Sequence, residues 1–263
     1  MRVDELLSVL DEAAPAALAE DWDNIGLMVG RRSGESPGVL VALDLRAGVV
    51  AEARERGWGI ILTHHPLVFP ALASVTPATS AGGLALEAAE AGIAVIAAHT
   101  NLDAAPGGLN DVMAAALGLE SADPLAPALS NPAAGLGRIG TLASPEALGT
   151  LAARAEALWP SGVRLTGDPE RPVERLALCT GSGASLIDAA REMDADAYMT
   201  CDLKYHDADR AEGMPLVGLD HAAVEGALLA EWAESLRGRL AQEGCEVAVA
   251  ARSTSPWSVP VPR

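Results

Sequence analysis

Residues 38–65 read GVLVALDLRAGVVAEARERGWGIILTHH. The run GVLVALD is a buried strand that ends at Asp44. AGVVAEARERG has the spacing of a helix, closed by Gly57, a residue suited to a left-handed C-terminal turn. WGIILT is a second buried strand, and it ends in two adjacent histidines, His64 and His65. Strand, helix and strand in this order predict parallel pairing through a crossover. The same pattern continues downstream. GGLALEAAEAG is a helix, IAVIAAHT a strand and GGLNDVMAAALG another helix. Upstream, Val3 to Ala14 is helical by the spacing of Leu6, Leu7 and Leu10, and EDWDNIGLMVG is rich in turn formers.

Residues 121–137, SADPLAPALSNPAAGLG, are rich in Pro, Gly and Ser and mark a boundary. A second α/β block follows. Strands are expected at 139–142, 163–166, 173–179 and 197–200, in PLVGLD and in CEVAVAA. Helices are expected over 145–159, 184–193, 204–212 and 222–237. The expected class is α/β with mostly parallel sheets in two lobes. Residues 1–125 make the first lobe, joined by 196–250, which returns to it. Residues 126–195 make the second, and 251–263 a loosely ordered tail.

Composition narrows the function. Of the 263 residues 50% are hydrophobic but only 3% aromatic, so the core is built from Ala, Val, Leu and Ile. The formal net charge of −18 argues against a nucleic-acid surface or a polybasic membrane patch, both of which need clustered Lys and Arg. The acidic, periodic N-terminus is no signal peptide, and no apolar run is long enough to span a bilayer. Cys179, Cys201 and Cys245 are odd in number and form no C-x-x-C, so a reduced, cytoplasmic setting is expected. Arginine is used far more than lysine, as a GC-rich genome would produce.

Three strands end in the same chemistry. GIILT delivers His64 and His65. IAVIAA runs into HTNLD, with His99 and Asp103. PLVGL runs into DHAAVE, with His221 and Glu225. Ligand sites form at the carboxyl ends of parallel strands, and His221 and Glu225 are four apart, on one helix face. Imidazole with carboxylate suits Zn, Mn or Fe. His64, His65, Asp103, His221 and Glu225 are too many for one open tetrahedral site and suit two ions sharing a carboxylate. Each part alone is weak: H-x-x-x-E is common on exposed helices, and NLDAAPGG reads equally as a turn. CTGSGAS, opening a helix after a strand, is an anion loop or, more simply, a tight turn. G-x-S-x-G and the P-loop pattern are absent.

At these residues the chain resembles the Nif-three-like dinuclear-metal family, whose members carry the label GTP cyclohydrolase 1 type 2 homolog. The matching stretches are DWDNIGLMVG, LTHHPLVF, AAHTNLDAAPGGLND, TCDLKYHDAD and DHAAVEG, from residue 21 to 226. The resemblance implies two interlocked α/β lobes with a metal pair between them. It implies two divalent ions per chain, held by His64, His65, Asp103, His221 and Glu225, with Glu225 as the bridge. It also implies a ring-shaped homo-hexamer. Two positions depart from the family pattern: Cys201 stands where glycine is usual, and Val224 where serine is usual. Cys201 is an apolar filler or a soft ligand; Val224 withdraws a hydroxyl.

Two functions follow as expectations. One is a metal-dependent hydrolase of a small molecule, opening a purine ring or cleaving a phosphoester, with His99 or His206 as acid or base. The other is a non-catalytic metal-binding ring that acts as scaffold, chaperone or regulator. Neither His99 nor His206 matches a ligand position of the family. His99 therefore serves catalysis or hydrogen-bonds a ligand, or merely ends a strand; His206 does the same or faces solvent.

Overall fold

The computed structural model describes residues 1–160, 162–252 and 255–256. Most of the segment expected as a loose tail, 251–263, lies outside these. Contacts group the chain into two compact units: Met1–Val9, Asn24–His99 and Ala233–Arg263 form one, and Leu10–Asp23 with Thr100–Trp232 the other. These divisions differ from the expected lobes. Of 196–250, only the part from Ala233 returns to the first unit, because the strands at 197–201 and 216–219 pair in the second sheet.

Helix α1 (Val3–Ala13) opens the chain. The first unit holds a five-stranded sheet of β1 (Gly26–Val29), β2 (Gly38–Ala42), β3 (Ile60–Thr63), β4 (Ala94–Ala97) and β11 (Glu246–Val249), in the order β1-β4-β3-β2-β11. The pairs from β4 to β11 are parallel; β1, read in the sequence as turn, is an antiparallel edge strand. Helix α2 (Ala47–Arg56) ends at Gly57, φ 68°, as the sequence predicts, and α3 (Ser80–Glu90) is capped by the Thr79 hydroxyl. Leu40, Val49, Val50, Ala53, Ile61 and Val95 pack around Trp58 in the core. Each of the Leu, Val and Ile side chains contributes about 1.5–3 kcal/mol by leaving water. Gly38 is required at the start of β2: a Cβ there would sit 2.4 Å from the Trp58 ring.

The second unit contains α4 (Thr100–Ala104) and α5 (Leu109–Ala116), then β5 (Leu119–Ala128) and β6 (Asn131–Ala147). Residues 121–137, expected as a boundary, are therefore a long antiparallel hairpin. Pro124 and Pro127 fit because β5 is the edge strand, where a missing N–H leaves no ladder bond broken. Helix α6 (Leu148–Leu158) starts three residues later than expected, since Glu146 and Ala147 pair with β8 (Pro172–Leu178). β7 is only Arg164–Leu165. Helix α7 (Ile187–Glu192), β9 (Ala197–Cys201), α8 (Tyr205–Arg210), β10 (Leu216–Leu219) and α9 (His221–Leu240) follow. The sheet order is β5-β6-β8-β9-β10-β7, with β8, β9 and β10 mutually parallel and the outer pairs antiparallel. The α/β class expected from the sequence holds, and both sheets are mixed. No helix among the described residues is long and apolar enough to cross a membrane.

Candidate metal centre

In the first unit β2, β3 and β4 lie side by side and end together. The His64 N–H donates to Ala42 O, the His65 N–H to Leu43 O and the Ala98 N–H to Thr63 O, which carries the pairing beyond the strands. This register brings His64, His65 and His99 to one sheet edge. Their ring centroids are 5.1–5.7 Å apart, and one donor atom from each lies within 4.8 Å of the others. Three such imidazoles could hold a metal ion.

Two of the tautomers follow from their partners. His64 Nδ1 is 2.9 Å from the Ala98 carbonyl, which only accepts, so this nitrogen carries the proton. His65 Nδ1 is 3.0 Å from Asp44 Oδ1 and donates in the same way. In each neutral ring the lone pair is then on Nε2. A histidine oriented by a carboxylate or carbonyl behind it is the usual form of a metal ligand. Asp44 was visible in the sequence only as the end of a strand; its role comes from β2 lying next to β3. His99 was set apart from the ligands by the family pattern, yet its ring stands among theirs, with Phe69 edge-on at 6.4 Å.

In the second unit the parallel strands β8, β9 and β10 also end together, at Thr180, Asp202 and His221. His221 Nδ1 is 2.7 Å from Asp202 Oδ2, and its Nε2 is 2.7 Å from Glu225 Oε2. The i, i+4 spacing on α9 thus produces the contact the sequence predicts. Burial alone would lower the His221 pKa, but the hydrogen bond and charge of Glu225, then of Asp202, raise it to about 9. Asp202, unflagged in the sequence, adopts φ 55° to reach His221. Asp and Asn tolerate this left-handed region better than most residues.

Asp103 lies in α4, not in the turn the sequence also allowed. It accepts from the Thr180 hydroxyl at 3.1 Å, while Asn110 bridges the Asp103 carbonyl and the Thr180 N–H. Asp103 and Glu225 are both buried. Their charges add to burial in pushing the Cys179 thiol far up, so Asp103 and Glu225 share one buried neighbourhood. Loop 180–183 wraps this neighbourhood tightly. Tyr198 Oη donates to Gly183 O, the Gly183 N–H donates to Thr200 Oγ1, and that hydroxyl donates to Gly181 O. A Cβ on Gly181 would meet Glu225 Oε1 at 2.5 Å. CTGSGAS is thus a tight turn after β8, the plainer of its two readings.

Cys201 is buried, and burial first, then Glu225 and Asp202, pushes its thiol well above the ordinary value. It packs as a small neutral group. Val224 is fully buried. His206 faces solvent on α8, beside Tyr205 and 3.6 Å from Asp209.

A family model described as Duf34/NIF3 (NGG1p interacting factor 3) matches residues 1–256. This chain belongs to the Duf34/NIF3 family. A relative named GTP cyclohydrolase 1 type 2 homolog, from Streptomyces coelicolor, is 39% identical over 227 residues, covering 84% of this chain and 80% of that protein. Among solved structures of the family's fold, a Bacillus cereus protein related to NIF3 matches with TM-score 0.91 over 99% of both chains, at 22% identity. A Staphylococcus aureus protein matches with TM-score 0.91 at 27% identity, again over 99% of both.

Proposed function

We propose that this Duf34/NIF3 chain is a metal-dependent hydrolase that uses two divalent ions, of Zn, Fe or Mn, held by His64, His65, Asp103, His221 and Glu225. The observation that carries the reading is the donor set itself. His64 and His65 each have Nδ1 engaged behind the ring, which places the coordinating lone pair on Nε2. Two buried carboxylates, Asp103 and Glu225, supply the negative charge that a dication needs. When bound, such ions lower the pKa of water and polarise a substrate oxygen.

The chain's own residues then have distinct tasks. Asp44 and Ala98 O orient His65 and His64. Asp202 holds His221 at Nδ1 and leaves Nε2 to the metal side. Thr180 and Asn110 hold Asp103. His99, with its ring beside both strand-end histidines, moves a proton to or from the substrate. The name carried by the Streptomyces coelicolor relative points to purine-ring opening; phosphoester hydrolysis asks for the same constellation.

The test joins metal analysis to turnover. Protein purified without chelator should carry two metals per chain. Glu225→Ala should lose most of the bound metal, since it removes one of the two buried carboxylates that would hold it. His99→Gln should keep the metals and lose turnover on a panel of nucleotides and phosphoesters. Full metal content in Glu225→Ala sinks the ligand assignment. Two bound metals with no turnover across the panel would favour the non-catalytic ring.

A further inference from the structure

The chain has one lysine, Lys204, against seventeen arginines. Helix physics does not account for it. Lys204 is the N-cap of α8, where an ammonium has no lone pair to offer a helix N–H and faces the positive end of the helix dipole. Only its backbone serves the cap, through the N–H to Asp207 Oδ2 at 2.7 Å. A sequence that otherwise uses guanidinium for every basic side chain keeps an amine at a locally unfavourable position.

That position borders a cavity of about 310 Å³ in the second unit, separate from the histidines and carboxylates above. Arg164, Thr166, Lys204 and Tyr205 supply its polar rim, and Leu165 and Leu203 part of its apolar wall. The volume suits a small molecule. Two cations against one carboxylate, Asp209, leave the cavity net positive in a chain of net charge −18, which favours an anion. Arg164 is steadied by donating to Leu203 O at 3.3 Å. Asp209, also on the rim, lies near His206. Tyr205, 83% exposed, offers a ring against which a planar group can lie.

We propose that this cavity binds a small planar anion carrying an aldehyde or ketone, and that Lys204 Nζ condenses with that carbonyl. Guanidinium matches the amine as a cation but not as a nucleophile, which is why arginine does not stand here. The step balances without a further reactant. The ammonium that draws the anion in first gives one proton to solvent; the neutral amine then adds to the carbonyl carbon and the π pair moves to oxygen. That oxygen leaves as water with two protons, and an imine remains. The inference does not rest on the metal reading.

The single lysine makes the test clean, because the only other primary amine is the N-terminus. Full-length protein is treated with pyridoxal 5′-phosphate, reduced with borohydride and mapped by mass spectrometry. One adduct per chain is expected, at Lys204, forming saturably and competed by pyridoxine 5′-phosphate, which lacks the aldehyde. Arg164→Gln should weaken the half-saturation about tenfold, the worth of one charge-assisted contact. Lys204→Arg should keep pyridoxine 5′-phosphate binding while losing the adduct. Labelling that never saturates, that favours the N-terminus, or that proceeds equally with unphosphorylated pyridoxal overturns the proposal.

Discussion

His221 sits between two carboxylates, and that fixes its protonation in the metal-free protein. Its pKa, raised to about 9 from the ordinary 6.5, makes it a cation at neutral pH. A group whose folded pKa is raised stabilises fully below its unfolded value and loses that contribution as pH rises through the folded one. Chelated protein should therefore lose thermal stability between pH 6.5 and about 9, and His221→Gln should flatten that part of the profile. A flat profile in the unsubstituted protein would contradict the ion pairs. Metal taken up near neutral pH must expel this proton, detectable in a weakly buffered titration. Gly181 makes a sharper case at the same scale. Its φ of +60° costs an alanine about 1–2 kcal/mol, and the added Cβ would push on Glu225. Gly181→Ala should lower the melting temperature by a few degrees and also cut metal content. Loss of stability with full metal content would show that the carboxylate moves aside without leaving its ion.

The hairpin β5–β6 is where one buried cation holds elements together. Arg138 on β6, 1% exposed, donates to Gly135 O and Gly137 O at 2.7 and 2.8 Å and to Ala105 O at 3.3 Å. It also pairs with Asp111, which takes the Gly107 N–H. One side chain thus ties β6 to the loop between α4, which carries Asp103, and α5. Arg138 is buried but Asp111 is 31% exposed, so removing the guanidinium leaves a carboxylate that water partly screens and three carbonyls short of a donor, a cost of about 1–3 kcal/mol. Arg138→Gln is expected to lose that much in a urea titration. A loss below about 1 kcal/mol would mean that water replaces the guanidinium.

At the scale of the molecule, charge opposes the self-assembly that the family resemblance implies. Each chain carries −18, so copies repel, and only short-range packing under ionic screening can hold them together. The expected ring is a hexamer, six times the 26.9 kDa of one chain, more stable in salt than at low ionic strength. Light scattering across a salt series checks both, and a monomer at every salt would refute it. The same charge predicts no salt-sensitive binding to DNA, which a gel-shift series tests directly.

The sequence alone determined the alternation of strand and helix, the aliphatic core and the clustering of histidine at strand ends, because these are local patterns of hydrophobicity and turn chemistry. It also carried the family, through motifs whose order and spacing survive without coordinates. Tertiary structure alone decided what depends on strand register. The pairing of β3 with β4 brings His99 to His64 and His65, and β2 beside β3 supplies Asp44. Asp202 reaches His221 because β9 lies next to β10. The prolines of 121–137 belong to a strand only because that strand lies at a sheet edge. Arg164 and Lys204, forty residues apart, line one cavity because β7 pairs with β10. Such neighbours come from pairings between distant segments, which no window of adjacent residues encodes.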